Sequence, residues 1–253
     1  MWSMHIAVPG GTGTVGQHVV SIARDRGHLV TSLTRSEGVD LFTGRGLHEA
    51  LQGVDTVIDV SGIQTISTRK AVDFFTAATR NLLAAEKEAQ SRHHIALSIV
   101  GIDKTASGLY AGKLAQEDTV RHGEVPWTIL RSTQFHEFVP MAISAASIGP
   151  VVLVPQMITQ PVAAREVAAA LVDAAEQGPR GRVADLGGPR REQLSDLVRK
   201  YLRKSGQRKL VVKVPAPGAM GQAMRRGDLV PAAGSAVGRQ TYQEWLETCL
   251  PIH

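Results

Sequence analysis

The amino-acid sequence predicts an α/β fold in which a doubly wound parallel sheet is followed by a small C-terminal lobe. Three observations support this prediction. Short runs typical of strands alternate with helical runs up to about residue 130, a rhythm typical of parallel sheets flanked by helices. Several of the strand-like runs are almost entirely apolar, as is required of strands that are covered on both faces. A glycine cluster lies between the first strand-like run and the first helical run.

Hydrophobic periodicity and turn residues define the individual elements of this region. The predicted strands are His5–Val8, Leu29–Thr34, Thr56–Val60, Ile95–Val100 and Thr128–Leu130. The predicted helices lie near Thr14–Arg26, Leu47–Leu51, Thr68–Gln90 and Leu109–Gly123. In a doubly wound sheet the ligand crevice is expected at the carboxyl ends of the strands.

The pattern changes after Gly149, where prolines break the chain into short elements. We therefore predict a sheet domain over residues 1–150 and a smaller lobe over residues 151–253, packed together as a single compact unit. Helices are predicted at Ala163–Glu176 and, with amphipathic spacing, at Glu192–Lys204. A lobe of this kind would cover the crevice on the substrate side.

The composition excludes several classes of protein. The chain has 253 residues, of which 43% are apolar and 20% charged, as in ordinary globular proteins. No apolar run approaches the roughly 20 residues that span a bilayer. The first residues lack an export signal, and the single cysteine, Cys249, favours a reducing cytoplasm with no disulfide and no structural metal. Residues 180–226 contain 13 Lys and Arg against 3 Asp and Glu, for which a solvated basic face is favoured over nucleic-acid binding.

The glycine cluster fits two overlapping spacings, Gly11-x-Gly13-x-x-Gly16 and Gly10-x-x-Gly13-x-x-Gly16. Such glycines form a tight turn, let the backbone approach a pyrophosphate, and let the helix pack on the strand, while the helix N-terminus supplies free N–H groups. We therefore predict a Rossmann-type dinucleotide site. The loop residues expected to bind the cofactor are Gly10, Thr12, Gly13, Thr14, Val15 and Gly16. A Walker-type loop is excluded because Lys and Ser or Thr are missing after the last glycine.

The end of the second strand indicates which dinucleotide is bound. An acidic residue at this place would bind the ribose 2′-hydroxyl of NAD, but the sequence has Arg35 followed by Ser36. A guanidinium can pair with a 2′-phosphate. We therefore favour NADP(H) as the cofactor, with Arg35 and Ser36 among its ligands. The alternative is an exposed loop arginine, with Glu37 or Asp40 serving the ribose.

Further segments carry a resemblance to a known family. They are DTVIDVSG (55–62), LSIVG (97–101), YAGKLAQE (110–117), PWTILRSTQF (126–135), QPVAAREVA (160–168) and LGGP (186–189). Together with the glycine loop and Arg35, they make the chain similar to the atypical short-chain dehydrogenase/reductases over nearly its whole length. More narrowly, it resembles the NmrA-like and NAD(P)-dependent epimerase/dehydratase-like members.

The resemblance implies where the cofactor lies. The loop glycines would hold the pyrophosphate, Arg35 would meet the adenosine 2′-phosphate, and residues beyond the loop would line the rest of the cofactor. These residues are Ser61 and Gly62 along its path, Ser98 and Lys113 at the nicotinamide and its ribose, and Gln134 in the segment 131–135 that closes over the nicotinamide end.

The catalytic set departs from the pattern of that superfamily. Its members normally carry a Tyr four residues before the Lys, so that the ammonium lowers the pKa of the phenol, which then acts as acid or base. Leu109 occupies that position, and Tyr110 lies three residues before Lys113, about 100° away around the helix. Tyr110 is thus either a catalytic acid or a packing residue. Ser98 is a candidate hydrogen-bonding serine, and His136 is either an alternative proton donor or a helix-start residue bonded to the backbone.

Two functions of different classes follow from this set. The favoured one is an NADP(H)-binding oxidoreductase that passes hydride to a small, largely apolar carbonyl or conjugated substrate. The alternative is a non-catalytic, NmrA-like redox sensor that responds to the NADP/NADPH ratio and regulates a partner protein. Neither nucleic acid nor a membrane is an expected partner, and the chain would act as a monomer or homodimer.

Overall fold

The computed structural model describes residues 3–105 and 107–249. Contacts divide the chain into two compact units, each built from two stretches of sequence. The first unit runs to Arg131 and resumes over Arg165–Ala184, whereas the second contains Ser132–Ala164 and the chain from Asp185 onward. These limits differ from the predicted boundary at residue 150, because the chain leaves the first unit earlier and returns to it.

The elements are numbered along the chain. The strands are β1 (His5–Pro9), β2 (Leu29–Leu33), β3 (Thr56–Asp59), β4 (His93–Ile99), β5 (Trp127–Ser132), β6 (Ser147–Ile148), β7 (Val151–Pro155), β8 (Ile158–Thr159), β9 (Gly181–Arg182), β10 (Leu186–Gly187), β11 (Glu192–Gln193), β12 (Leu210–Val214) and β13 (Ala236–Val237). The α-helices are α1 (Gly16–Asp25), α2 (Leu47–Ala50), α3 (Thr68–Glu88), α4 (Gly108–Arg121), α5 (Phe138–Ala146), α6 (Ala164–Gln177), α7 (Leu194–Lys204), α8 (Gly218–Arg226) and α9 (Tyr242–Cys249). Short 3-10 helices follow β2 at Arg35–Glu37 and β4 at Ile102–Lys104.

The sheet of the first unit has the strand order β2-β1-β3-β4-β5, with β9 beside β5. β1 pairs in parallel with both β2 and β3, and β3 pairs in parallel with β4. The chain runs from β1 to β2 and then crosses back to β3, so the carboxyl ends of β1 and β3 adjoin at the point where the winding reverses. Ligands bind at this point in doubly wound sheets. The predicted α/β fold is confirmed, and all five predicted strands are present.

Close packing between α3 and α4 sets the position of the residues discussed below. Gly112 of α4 makes this approach possible, because a Cβ there would lie 2.7 Å from Cδ2 of Phe75 and 2.8 Å from the carbonyl oxygen of Ala71. Phe75 is itself fully buried. Lys113, the residue after Gly112, is therefore held in the interior of the first unit.

The helix α6 belongs to the first unit through polar contacts as well as packing. The guanidinium of Arg26, just after α1, lies 2.7 Å from Asp173 and 2.8 Å from Glu176. His28 also contacts Glu176, at 3.1 Å. These contacts explain why the stretch 165–184 groups with the sheet and not with the sequence around it.

The second unit contains three small sheet fragments. Leu186 of β10 pairs with Ser132 and, in parallel, with Ala236 of β13. β7 lies between β12, which is parallel to it, and β6, which is antiparallel, and β8 pairs with β11. The predicted amphipathic helix is α7, which buries Leu194, Leu197, Val198 and Leu202. Its basic side is exposed in part, with Arg199 paired to Asp196 at 2.7 Å.

The described residues, 3–105 and 107–249, contain neither a candidate membrane span nor a cluster of metal ligands. None of their helices is long and apolar enough to cross a membrane. No group of three or more His, Cys, Asp or Glu side chains among them could hold a metal ion. Cys249 is exposed and is not in a disulfide.

Candidate functional site

The structure distinguishes the two glycine spacings. Gly10 has a φ of +79°, and a Cβ there would lie 2.9 Å from the Cα of Ser61. A Cβ on Gly16 would lie 2.1 Å from the carbonyl oxygen of Gly10, whereas a Cβ on Gly13 would meet that oxygen at 3.2 Å and nothing else within 4 Å. Gly10 thus forms the tight turn, Gly13 leaves the loop open to an approaching ligand, and Gly16 lets α1 pack against the loop. Gly11 instead faces a side chain of β2.

The N-terminus of α1 has the features of an anion site. Within the described chain, no side chain caps the helix at Val15, and its first turn has no acidic residue. Thr12 and Gly13 are exposed, and Thr14 is half-buried. Uncapped N–H groups and the positive end of the helix dipole favour a phosphate. The structure brings the predicted loop residues together here, and their contact with a cofactor stays a prediction.

Arg35 opens the 3-10 helix after β2 and is exposed, as is Ser36. Its guanidinium has no ion pair or hydrogen bond within residues 3–105 and 107–249. The strand that precedes it is joined to the glycine loop, because the N–H of Gly10 donates to the carbonyl oxygen of Leu33 at 3.4 Å. A free cation therefore lies two residues beyond a strand end that contacts the loop.

The two carboxylates named as alternatives to Arg35 have partners of their own. Glu37 accepts a hydrogen bond from the hydroxyl of Thr34 at 2.9 Å. Asp40 accepts from the backbone N–H groups of Thr43 at 3.1 Å and Phe42 at 2.9 Å, and these bonds lower the pKa of its carboxyl group. Asp40 is thus occupied by its own loop.

Ser61 and Asp59 lie where β3 ends. Asp59 is fully buried, and Ser61 is 6% exposed. The N–H of Ser61 donates to Oδ1 of Asp59 at 2.8 Å, but the Oγ of Ser61 has no partner among the described residues. Gly62 is exposed, and a Cβ there would meet nothing within 4 Å. Of the two predicted residues in this segment, Ser61 is the one with an unmet hydrogen bond.

Lys113 is buried in α4, and its ammonium bonds to the protein itself. Nζ donates to the carbonyl oxygen of Leu97 at 2.8 Å, to Oε1 of Gln116 at 2.8 Å and to the carbonyl oxygen of Ser61 at 3.5 Å. It also lies 4.5 Å from the ring centre of Phe75. Burial lowers the pKa of Lys113 to about 8, against the opposing effect of two carboxylates. The predicted ribose contact would require one of the three bonds to be exchanged.

Tyr110 and Ser98 are the other predicted catalytic residues of the first unit. Tyr110 is half-buried in the first turn of α4, where its N–H donates to the carbonyl oxygen of Ser107 at 3.2 Å. Ser98 is 1% exposed, and its Oγ has no partner among residues 3–105 and 107–249. Ser98 directly follows Leu97, whose carbonyl oxygen accepts from Lys113. The predicted residues of this part of the site thus lie near the ends of β3 and β4 and in the first two turns of α4. They are Ser61, Ser98, Tyr110 and Lys113.

Sequence reasoning missed two residues here, Asp59 and Gln116. Nε2 of Gln116 donates to Oδ2 of Asp59 at 2.7 Å, and both side chains are at most 1% exposed. The sequence held a signal for each: Asp59 is an acid inside an apolar strand, and Gln116 lies three residues after Lys113 on one helix. A neighbouring buried ion pair, in which Arg131 donates two hydrogen bonds to Glu117 at 2.7 and 2.8 Å, also escaped it.

Gln134 and His136 belong to the second unit. Oε1 of Gln134 accepts from the hydroxyl of Thr159 at 2.8 Å. His136 is 0% exposed, with Nε2 3.1 Å from the carbonyl oxygen of Gln240. Its ring packs against two aromatic rings of α9, at centroid distances of 5.5 and 5.7 Å. This environment favours the packing and backbone-bonded alternative over a proton donor.

A family model described as NAD(P)H-binding matches residues 10–178. The chain belongs to this NAD(P)H-binding family. The match begins at the glycine loop and extends through Arg35, Ser61, Ser98 and Lys113. It confirms the predicted NAD(P)-binding family, whereas the part that each loop residue takes in binding stays a prediction.

Solved structures share the fold of this NAD(P)H-binding protein. The triphenylmethane reductase of Citrobacter sp., complexed with NADP(H), is 19% identical with a TM-score of 0.70, covering 98% of this chain and 100% of that one. The NADPH-dependent quinone oxidoreductase of Escherichia coli, complexed with NADPH, is 18% identical with a TM-score of 0.72, covering 96% and 99%. UDP-glucose 4-epimerase of Thermotoga maritima reaches a TM-score of 0.74 at 15% identity, covering 98% and 97%.

A curated relative is similar over part of the chain. It is the photosystem II assembly factor Ycf39 of Trieres chinensis, which is 26% identical over 151 residues. The match covers 53% of this chain and 47% of the relative. The alignment therefore spans about half the length of that protein.

Proposed function

We propose that this NAD(P)H-binding protein uses NADP(H) and reduces a small, largely apolar carbonyl or conjugated substrate. The observation that carries the choice of NADP(H) is the exposed guanidinium of Arg35, which has no partner in the described chain. It follows the strand whose Leu33 carbonyl oxygen holds the glycine loop. A 2′-phosphate would give this cation an acceptor at the place where the pyrophosphate is expected.

The residues present fit such a cofactor. The uncapped N-terminus of α1 offers N–H groups to the pyrophosphate, and the open face of Gly13 lets it approach. The buried, unpartnered hydroxyls of Ser61 and Ser98 offer hydrogen bonds at the ends of β3 and β4. When bound, a reduced nicotinamide supplies a hydride. Thr12, Thr14, Val15 and Ser36 would complete the phosphate contacts.

The proposed substrate class has support from two proteins of similar structure. They act on quinones or triphenylmethane compounds and are described with NADPH or NADP(H). Both kinds of compound are conjugated and largely apolar. We extend that class, and no single compound, to this chain.

A reduction of this type also needs a proton. Tyr110 is the proposed donor, since it is half-buried three residues before Lys113. Lys113 would support it by holding the ends of β3 and β4 through its bonds to the carbonyl oxygens of Ser61 and Leu97.

A second candidate function is a redox sensor that binds NADP(H) without turnover and regulates a partner protein. The commitment of all three ammonium hydrogens of Lys113 to protein acceptors favours it, because an ammonium so engaged activates a phenol less. Leu109 at the usual tyrosine position favours it as well. Either function would suit a monomer or homodimer in the cytoplasm.

Turnover separates the two functions. We expect loss of reduced-nicotinamide absorbance when the protein meets NADPH and a panel of quinones, aldehydes and conjugated ketones. Tyr110→Phe should lower kcat by about 10² to 10⁴, the usual effect of a positioned acid, while the affinity for NADPH hardly changes. Tyr201→Phe, on α7, is the matched control and should keep the parental rate. A Tyr110→Phe protein that reduces its substrate at the parental rate would rule out Tyr110, and no consumption with any acceptor would favour the sensor.

A further inference from the structure

The bonds around Lys113 close into a ring. The N–H of Ser61 donates to Oδ1 of Asp59, and the carbonyl oxygen of Ser61 accepts from Nζ of Lys113. Nζ also donates to Oε1 of Gln116, whose Nε2 donates back to Oδ2 of Asp59. The four residues, Asp59, Ser61, Lys113 and Gln116, are called the β3–α4 ring below. A further bond from Nζ to the carbonyl oxygen of Leu97 attaches β4 to it.

The chemistry of the two charged groups fixes the direction of the Gln116 amide. Lys113 can only donate hydrogen bonds, and the Asp59 carboxylate can only accept them. The amide oxygen of Gln116 must therefore face Lys113, and its nitrogen must face Asp59. A substitution that reverses the polarity of one member leaves two donors or two acceptors face to face.

The charges of the β3–α4 ring depend on one another because its charged side chains are buried. Asp59 is 0% exposed, Gln116 1% and Lys113 7%. The other carboxylate that acts on Lys113 is Glu117, which already accepts bonds from the guanidinium groups of Arg131 and Arg121. Asp59 is thus the carboxylate linked to the ammonium through Gln116. Loss of either hydrogen bond of the Gln116 amide would leave a buried charge without its partner.

The β3–α4 ring holds Ser61 by both sides of its backbone. Its N–H and its carbonyl oxygen are both engaged, and its Oγ alone is left buried without a partner among the described residues. A buried hydroxyl without a partner has lost its hydrogen bonds to water without replacing them. A bound ligand that bonds to this hydroxyl would replace one of them, provided that Ser61 is held in place.

We propose that Asp59 and Gln116 are positioning residues that hold Lys113 and thereby fix Ser61 for a hydrogen bond to the bound dinucleotide. Neither side chain is asked to touch the cofactor. The inference rests on the proposed function, since it assumes that a nicotinamide dinucleotide binds at the ends of β1 and β3. It assigns Lys113 to the support of the strand ends, in addition to any contact with the ribose.

Charge exchange within the β3–α4 ring tests this proposal. Asp59→Asn and Gln116→Glu each break the donor–acceptor pattern. The double variant restores it, because the new amide at position 59 would donate to the new carboxylate at position 116, which would also accept from Lys113. We expect each single variant to weaken NADPH binding by about tenfold or more, and the double variant to recover to within about threefold of the parent. Calorimetric titration measures the affinities. Hydrogen exchange of residues 60–66 should quicken in the single variants and slow again in the double variant.

Val120→Ala is the matched control. It removes buried methyl groups from the same helix, where Val120 is 0% exposed, so it lowers stability without touching the β3–α4 ring, and its NADPH affinity should stay parental. If the single variants bind NADPH as tightly as the parent while their melting temperatures fall as in Val120→Ala, the ring is merely structural and the proposal is overturned. Failure of the unmodified protein to bind either nicotinamide dinucleotide would instead overturn the proposed function, and the inference with it.

Discussion

Arg35 and Lys113 are both cations of the first unit, and their surroundings give them different tasks. Lys113 is 7% exposed and bonds to three protein acceptors. Arg35 is exposed and bonds to none among residues 3–105 and 107–249. A cation that is already paired stabilises the fold, whereas an unpaired one can recognise an anion. We therefore propose that Arg35, and not Lys113, discriminates between the two cofactors.

Arg35→Ala should remove most of the preference for NADPH over NADH. A charge-assisted hydrogen bond contributes roughly 1.5–3 kcal/mol, so the affinity for NADPH should fall about 10- to 150-fold while that for NADH hardly changes. Arg92→Ala is the control. Arg92 directly precedes β4, so it lies at the amino ends of the strands, away from the proposed site, and it pairs with Asp55. An Arg35→Ala protein with unchanged NADPH affinity would refute the contact with the 2′-phosphate.

Single residues differ in how far the sequence could predict them. The resemblance pointed to Ser61 and Lys113. Ser61 lies just after β3, and Lys113 lies in α4 with its ammonium against carbonyl oxygens of Ser61 and Leu97. The bonds of Lys113 could not be predicted, because their acceptors at Leu97 and Ser61 are 16 and 52 residues away along the chain. Backbone carbonyl groups have no signature in a sequence. The packing of His136 against α9 depends likewise on distant residues.

At the level of elements, the glycine loop after β1 packs directly against α1. Gly16 lets the helix contact the loop directly, and Gly13 leaves the loop open on its outer side. The two glycines are three residues apart, yet only Gly16 is enclosed by packing. We propose that Gly16 is needed for folding and Gly13 for binding.

Substitution by valine should separate these two roles. Gly13→Val should fold, because φ at Gly13 is not positive and its Cβ would meet only one atom, at 3.2 Å. It should fail to bind NADPH and NADH, since the side chain would occupy the space of the pyrophosphate. Gly16→Val should be strongly destabilised, with its Cβ 2.1 Å from a carbonyl oxygen. Circular dichroism and calorimetry check both, and a folded Gly13→Val protein that binds NADPH would show the phosphate to be misplaced.

The elements that the sequence predicted are those with a long apolar pattern. The five strands and the helices α1, α2, α3, α4, α6 and α7 were predicted near their observed limits. The two-residue strands β6, β8, β9, β10, β11 and β13 were not, because two residues show no periodicity and their pairing depends on distant partners. The five-residue strands β7 and β12 were also not predicted; they lie after Gly149, where prolines interrupt the sequence pattern. The helices α5, α8 and α9 were missed in a region where prolines obscure the pattern.

Across the whole molecule, the first unit buries several charged groups in pairs. Glu86 and His94 are both fully buried and lie 2.8 Å apart. Burial alone would lower the pKa of His94, but the charge and hydrogen bond of Glu86, with a smaller effect of Asp59, raise it overall. His93 beside it has a pKa lowered to about 4 by burial, and so stays neutral near pH 7.

The pair makes stability depend on pH in a definite direction. The folded pKa of His94 lies above its unfolded value, so the contribution of the pair is complete below about pH 6.5 and is lost as pH rises through the folded pKa. Glu86→Gln should therefore lower the free energy of unfolding by about 1–3 kcal/mol near pH 6 and by less near pH 9. Urea unfolding at both values measures the effect.

A surface pair is the control for this prediction. Asp118→Asn removes the carboxylate beside His122, where the two side chains are 71% and 78% exposed, and should leave the pH dependence unchanged. A Glu86→Gln penalty that is equal at both pH values, or larger near pH 9, would contradict the assignment of the pair.

Calorimetric titration of the unmodified protein with NADPH and with NADH tests the central claim most directly. We expect NADPH and NADH to bind at the same single site, with NADPH bound about 10- to 150-fold more tightly. This expectation rests on the glycine loop, on the start of α1 and on the guanidinium of Arg35, which has no partner among the described residues. NADH bound as tightly as NADPH, or no binding of either, would contradict the account.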